Sequence, residues 1–225
     1  MGQTSLNLLA ITLFSLVMMS VFGPLINLSP AVPAIAMFGM LSIATVDTLA
    51  WQGRGSTLLL DWVARFSPEH RRRVVHHEAG HFLVAHLLNI PITSYTLSAW
   101  DAFRRGQPGL GGVSFDSQEL DAQLEGGALS SSLVDRYCKV WMAGVAAETL
   151  TYGNAEGGED DRQKMRILWT QLRRPMQECN LKERWSALQA KTLLETHQAA
   201  YEALVKSMEQ GASVEACLQV LEQSK

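Results

Sequence analysis

Charged residues are nearly absent from the first 50 positions, where Asp47 is the only one. All the other charged residues, among the 19 basic and 22 acidic side chains of the chain, lie after residue 50. A single uniform globular domain does not fit this distribution. We therefore expect a very apolar N-terminal segment, followed by a normally charged body that is large enough to bury its own core.

Three further absences exclude classes of protein. The three cysteines, Cys138, Cys179 and Cys217, are far apart and form no CxxC pair, which argues against a disulfide framework and indicates buried free thiols in a reducing compartment. Basic residues are not in excess, since the net charge is -3 and the pI is about 6.1, so no nucleic-acid partner is expected. No GxxxxGK[ST] sequence occurs, so the chain has no P-loop for ATP.

Two long apolar runs fill the N-terminus, at residues 6–28 and 31–51. Each run is close in length to the roughly 20 residues that a helix needs to cross a hydrocarbon core. Residues 1–51 are therefore predicted to form two transmembrane helices with a very tight connection. Basic residues follow the second run, at Arg54, Arg65 and 71–73, and the positive-inside rule then places the rest of the chain on the cytoplasmic or stromal side.

Two other interpretations of these runs stay open. Ala34-Ile35-Ala36 fits the cleavage pattern of a signal peptide. However, no basic residue precedes the first run, and this run exceeds the roughly 7–15 residues of a signal core. A buried hairpin in a soluble protein is the second alternative, which the lack of a polar face on either run disfavours.

The body of the chain has mostly helical patterns. Residues 52–66 are predicted to be an amphipathic, membrane-proximal connector. Ser67 and Pro68 are typical of a helix start, and Asn89 and Pro91 of its end, which predicts a helix from Ser67 to about Leu88. A small β-hairpin or sheet is expected from a strand at 92–99, a glycine-rich turn at 104–112 and a strand starting at 113–115. Further helices are predicted at 131–152, 160–173, 177–208 and 213–223.

The sequence HEAGH at residues 77–81 carries the clearest chemistry. His77 and His81 are one helical turn apart, so both imidazoles face the same side and can bind one zinc ion. Glu78 lies beside the first ligand and can act as the general base toward a water that the metal activates. The neighbouring His76 and His86 do not share this spacing and are interpreted as packing or solvated residues.

A zinc site needs a third protein ligand, and the sequence does not supply it nearby. The extended pattern HExxHxxGxxH is absent, because residue 84 is Val and residue 87 is Leu. The best candidates are the carboxylates in Gly157-Gly158-Glu159-Asp160-Asp161, at a predicted helix start.

Two blocks of the chain resemble the membrane-bound FtsH metalloproteases. HHEAGHFLVAHLLNIPI is similar to the zinc-binding helix of that family, and WMAGVAAETLTYGNAEGGEDD resembles its second block. The resemblance covers about residues 67–205 and implies that residues 67–225 form an α-helical, zincin-like metallopeptidase domain. It places the third zinc ligand on Asp161, with Asp160 as the alternative if the register shifts by one. Glu148 matches a family glutamate, either a partner that orients a ligand histidine or a structural carboxylate.

The resemblance also implies a function. It is that of a membrane-anchored zinc endopeptidase that cleaves membrane or flexible polypeptides, with an extended substrate pairing along the strand near 110–115. The family carries an AAA ATPase module, which this chain lacks; small ATPase-less proteins of this kind are similar to those of cyanobacteria and chloroplasts, which implies a thylakoid or plasma membrane. The partners implied are further copies of the chain or a separate AAA ATPase.

Two other functions stay open. The first is a non-proteolytic assembly or regulatory subunit with an FtsH-like domain. The second is an intramembrane protease of the site-2 type. Arg71-Arg72-Arg73 disfavours the latter, because these charges immediately precede the motif, whereas an intramembrane protease has it inside an apolar span.

Overall fold

Helices dominate the part of the chain that the computed structural model describes, which comprises residues 3–50, 68–98, 112–127 and 129–224. A two-stranded antiparallel sheet accompanies them. The predicted fold class, mainly α with a small β-hairpin or sheet, is thereby confirmed in outline. The predicted connector at 52–66, the helix-capping role of Ser67 and nearly all of the turn at 104–112 lie outside the described residues.

The N-terminal runs form two helices. Helix α1 comprises Gln3–Phe22 and continues into a 3₁₀ turn at Gly23–Ile26, and α2 comprises Ala31–Ala50. Asn27 ends the turn with a left-handed backbone (φ 56°). The helical state of both runs agrees with the prediction. Among the described residues, however, no helix combines the length and the hydropathy that a membrane span requires, so the predicted transmembrane hairpin is not supported.

Helix α3 comprises Pro68–Leu87 and carries the HEAGH sequence. It ends close to the predicted position because Asn89 adopts a left-handed conformation (φ 54°). The N–H of Ile90 donates to the carbonyl oxygen of Ala85, which satisfies one of the last helical acceptors. The chain then enters the sheet.

The sheet pairs β1 (Ile92–Thr96) with β2 (Gly112–Phe115) in antiparallel register. Tyr95 lies opposite Val113, and Thr96 lies opposite Gly112. Both strands lie within or next to the predicted ranges, so the predicted strand pair is confirmed.

The remaining helices agree with the predictions except at three points. Helix α4 (Gln118–Glu125) was not predicted, because its short sequence has only two large apolar residues, the buried Leu120 and the half-buried Leu124. The predicted helix 131–152 is divided at Met142 (φ −87°, ψ −1°), and the predicted helix 177–208 at His197 (φ −113°, ψ 36°). Apolar residues continue across the first break, and no glycine or proline stands at the second, so the pattern alone does not reveal them. The elements are α4 (Gln118–Glu125), α5 (Ser131–Trp141), α6 (Ala143–Tyr152), α7 (Glu159–Gln171), α8 (Met176–Thr196), α9 (Gln198–Glu209) and α10 (Val214–Gln223).

Helix α3 lies in the core, and α6 crosses it closely. A Cβ atom on Gly80 would lie 2.6 Å from the carbonyl oxygen of Ala143 and from the Cβ of Ala147, so only glycine allows this approach. The second half of α3 is almost fully buried. The three cysteines are buried and free, as predicted. This packing fixes the face of α3 that carries the two histidines against α6.

Candidate metal centre

The two histidines of the HEAGH sequence lie side by side on α3. His77 and His81 are both buried, and their ring centroids are 4.7 Å apart in an edge-to-face arrangement. Helix α6 covers them so closely that a Cβ atom on Gly144 would overlap the His77 ring. The glycine at position 144 therefore leaves space for the Nε2 atom of His77.

The third member of the cluster is Asp161, in the first turn of α7. Its Oδ2 atom lies 3.4 Å from Nε2 of His77 and 3.3 Å from Nε2 of His81. These distances are longer than those of typical charge-assisted hydrogen bonds, which are about 2.7–2.9 Å, so the contacts are weak hydrogen bonds at most. The distances match the separation of about 3.3–3.4 Å between two ligands of a tetrahedral zinc ion with bonds of about 2.0–2.1 Å. The three side chains form a buried group that could hold a metal ion.

The other ring nitrogen of each histidine has a hydrogen-bond acceptor. Nδ1 of His77 lies 2.7 Å from Oε1 of Glu148, and Nδ1 of His81 lies 2.7 Å from the carbonyl oxygen of Val140. With a metal bound, a proton on each Nδ1 would leave both Nε2 lone pairs free for the ion. Such partners fix the ring orientation of metal-ligating histidines.

The pKa values of His77 and Asp161 are shifted by their neighbours in the cluster. Burial alone would lower the pKa of His77, but hydrogen bonds to Asp161 and Glu148 raise this pKa to about 10. Burial would raise the pKa of Asp161, but the charge of His81 and the hydrogen bond from His77 hold it well below its usual range. Without a metal the cluster therefore favours a positive charge at the place where a cation would bind.

Glu78 lies at the same cleft, whose volume is about 590 Å³. Its Oε2 atom accepts a hydrogen bond of 2.9 Å from the backbone N–H of Val113, at the start of β2. Gly112 lies against the same carboxylate, with φ at 114°. The glutamate of the HEAGH sequence thus faces the cleft and contacts the strand that forms its wall.

Asp161, rather than Asp160, joins the two histidines. Asp160 is exposed and lines the cleft, but it is not part of the candidate metal-binding group. His76 contacts the hydroxyl of Tyr201 through Nδ1 at 2.9 Å, and His86 is likewise not in this group. The separation of both from the candidate ligands agrees with the sequence interpretation.

Glu148 combines both roles that the sequence left open. Its carboxylate contacts His77, and it also accepts the N–H groups of Glu156 (2.9 Å) and Gly157 (3.1 Å). Burial would raise the pKa of Glu148, but these hydrogen bonds lower it to about 2. Glu148 therefore stays ionised, and it contacts a candidate ligand histidine and a loop at the same time.

Three contributions to the site were missed in the sequence. The carbonyl of Val140 has no side-chain signal, because any residue could provide it. Lys164 contacts Oδ1 of Asp161 at 3.0 Å, and its i+3 spacing on a helix was a usable signal. Arg73, one turn before His77, contacts Glu148 at 3.2 Å, and its position on the same helix face as the histidines was also a usable signal.

No family model matches the chain, and a search of the curated proteins finds no match either.

Proposed function

We propose that this chain is a zinc-dependent endopeptidase. The observation that carries the proposal is the position of the Asp161 carboxylate, which lies 3.4 and 3.3 Å from the Nε2 atoms of His77 and His81. Two imidazoles and one carboxylate are a ligand set of catalytic zinc sites, which leave a fourth position open for water or substrate. The cluster borders a cleft, so that position would be accessible.

Glu78 is the general base in this proposal. Zinc, when bound, lowers the pKa of a water molecule and polarises the peptide carbonyl. Glu78 accepts the proton of the attacking water and returns it to the leaving amine. The half-buried carboxylate already lies at the cleft, although it accepts the N–H of Val113 in this structure.

An extended polypeptide is the substrate that the cleft fits best. In the described part of the chain β2 pairs with β1 alone, so its second edge is open to a further strand. The N–H of Val113 lies on this edge and would be available to a substrate carbonyl once Glu78 releases it. This supports the predicted use of the strand near 110–115, of which residues 110 and 111 lie outside the described part.

Membrane attachment is part of the proposal. It is supported by the near-absence of charge in the first 50 residues and by apolar side chains that α1 and α2 leave exposed, such as Phe38 (74%) and Leu49 (80%). Because no P-loop occurs, substrate unfolding would depend on a separate AAA ATPase, or the enzyme would cleave segments that are already flexible. Resistance to alkaline carbonate extraction would test the attachment, and complete release would contradict it.

One experiment separates this function from the non-proteolytic alternative. The full chain is purified in detergent, its zinc content is measured, and cleavage of casein is followed. Glu78→Gln is the matched control, because it keeps the shape of the side chain and the metal ligands but removes the base. We expect about one zinc per chain in both proteins and cleavage only by the wild type. Zinc binding without Glu78-dependent cleavage would instead support the regulatory subunit.

A further inference from the structure

Arg73 is the one basic side chain of the cluster 71–73 that is buried. It lies one turn before His77 on α3, and its side chain is 11% exposed, whereas Arg71 and Arg72 are exposed. A buried guanidinium is costly unless it is hydrogen-bonded and paired. The partners of Arg73 therefore reveal what it does.

Those partners belong to two separate elements. One guanidinium nitrogen donates to Oε2 of Glu148 at 3.2 Å and to the backbone oxygen of Asn154 at 3.3 Å, and the other lies 3.5 Å from Oε1 of Glu156. The guanidinium carbon also lies 4.4 Å from the ring centroid of Tyr152. Arg73 thus joins α3 to helix α6 and to the loop 153–158.

This network reaches the candidate metal ligands by two routes, one through Glu148 to His77 and one through the loop to Asp161. Through Oε1, Glu148 contacts Nδ1 of His77 and the N–H of Gly157. Gly158 then turns the chain with φ at 91°, and Asp161 follows in the first turn of α7. Arg73 therefore contacts the carboxylate that orients one histidine and also the loop that leads to the third ligand.

We propose that Arg73 is a positioning residue that couples the histidines on α3 to the loop that leads to Asp161, and that zinc affinity depends on it. The proposal rests on the zinc site of the proposed function. A lysine would keep the charge, but its ammonium is a compact donor that cannot match the planar fork of arginine. Glu148 and the loop would then lose their common partner.

The test measures zinc affinity by competition with a chelator, using the full chain in detergent. Arg73→Lys is compared with Arg72→Lys, an exposed neighbour with the same change. We expect about 10- to 100-fold weaker zinc binding for Arg73→Lys, the size of effect seen when partners of metal ligands are removed. Arg72→Lys should bind zinc like the wild type. The metal-free proteins are compared by urea unfolding, to show that the loss does not follow from a change of fold.

A double-mutant cycle separates positioning from general structural damage. Arg73 acts partly through Glu148, so the two changes should not be independent. The double variant Arg73→Lys/Glu148→Gln should lose clearly less zinc affinity than the product of the two single fold-losses. If Arg73→Lys does not fold, Tyr152→Leu serves instead, since it removes the ring beneath the guanidinium and leaves Arg73 in place; the ring also contacts His76, which is outside the candidate ligand group. About threefold weaker zinc binding is expected.

The outcomes distinguish this inference from the proposed function. Wild-type zinc affinity in Arg73→Lys, or in Tyr152→Leu if that variant is needed, overturns the inference, as do fully independent effects in the cycle. If zinc binding depends on Arg73 but no Glu78-dependent cleavage occurs, the endopeptidase proposal fails while the inference stands. A wild-type chain that binds no zinc overturns both.

Discussion

The Oε1 atom of Glu148 lies 2.7 Å from Nδ1 of His77, although the two residues are 71 positions apart. The contact joins α6 to the face of α3 that carries the candidate metal ligands. It sets the ring orientation of His77 and directs Nε2 toward Asp161. The first prediction tests this relationship.

Replacement of Glu148 by Gln should weaken zinc binding about tenfold. The amide keeps the shape of the side chain but loses the charge that strengthens the hydrogen bond to His77. Chelator competition measures the effect. Glu119→Gln on α4 is the control, because this exposed glutamate lies outside the cleft. Equal affinities of the two variants would contradict the assigned role.

Asp161→Ala should remove most of the bound zinc, and Asp160→Ala should not. Of these two carboxylates, that of Asp161 lies within reach of both Nε2 atoms, whereas Asp160 is exposed. Metal analysis after gel filtration gives the zinc content of each variant. Loss of zinc from Asp160→Ala alone would show that the ligand lies one position earlier.

Gly144→Ala should abolish metal binding, because the added methyl group would overlap the ring of His77. Either the ring moves or α6 separates from α3, and both displace Nε2. Gly39→Ala is the matched control, since a Cβ atom there meets nothing within 4 Å. Zinc content and the thermal unfolding midpoint are measured together. A Gly144→Ala protein with full zinc content would contradict the close packing.

The metal-free protein should be most stable in weakly acidic solution. The pKa of His77 is raised from 6.5 to about 10, so its contribution is complete below pH 6.5 and is lost as the pH rises toward 10. The pKa of Glu148 is lowered from 4.5 to about 2, so its contribution is complete above pH 4.5 and is lost as the pH falls toward 2. Both are therefore complete between about pH 4.5 and 6.5.

Urea unfolding after chelation, at pH 5.5 and pH 9, measures this dependence. The wild type should lose stability between these two values, and His77→Gln should lose much less, because the variant has no proton to release at that position. A wild type that is as stable at pH 9 as at pH 5.5 would show that His77 is not held in its charged form.

Local patterns predicted the helices and strands well where they had clear start or stop signals. Helix α3 begins at Pro68 and ends shortly before Asn89, within one or two residues of the predicted ends. The breaks at Met142 and His197 were not predictable, because the apolar pattern continues across the first and no glycine or proline stands at the second. Only packing against α3 and within the core decides where such a continuous pattern bends.

The sequence by itself determined the pairing of His77 with His81 and the neighbouring Glu78, because residues four apart share a helix face whatever the rest of the chain does. It also determined the apolar character of the first 50 residues. Only the tertiary structure decided that the Asp161 carboxylate, and not that of Asp160, lies beside both Nε2 atoms. It alone connected Arg73 to the site and showed that the Glu148 carboxylate contacts His77. These contacts join elements that are distant in sequence, and their geometry depends on the close packing of α6 on α3 and on the path of the loop that follows.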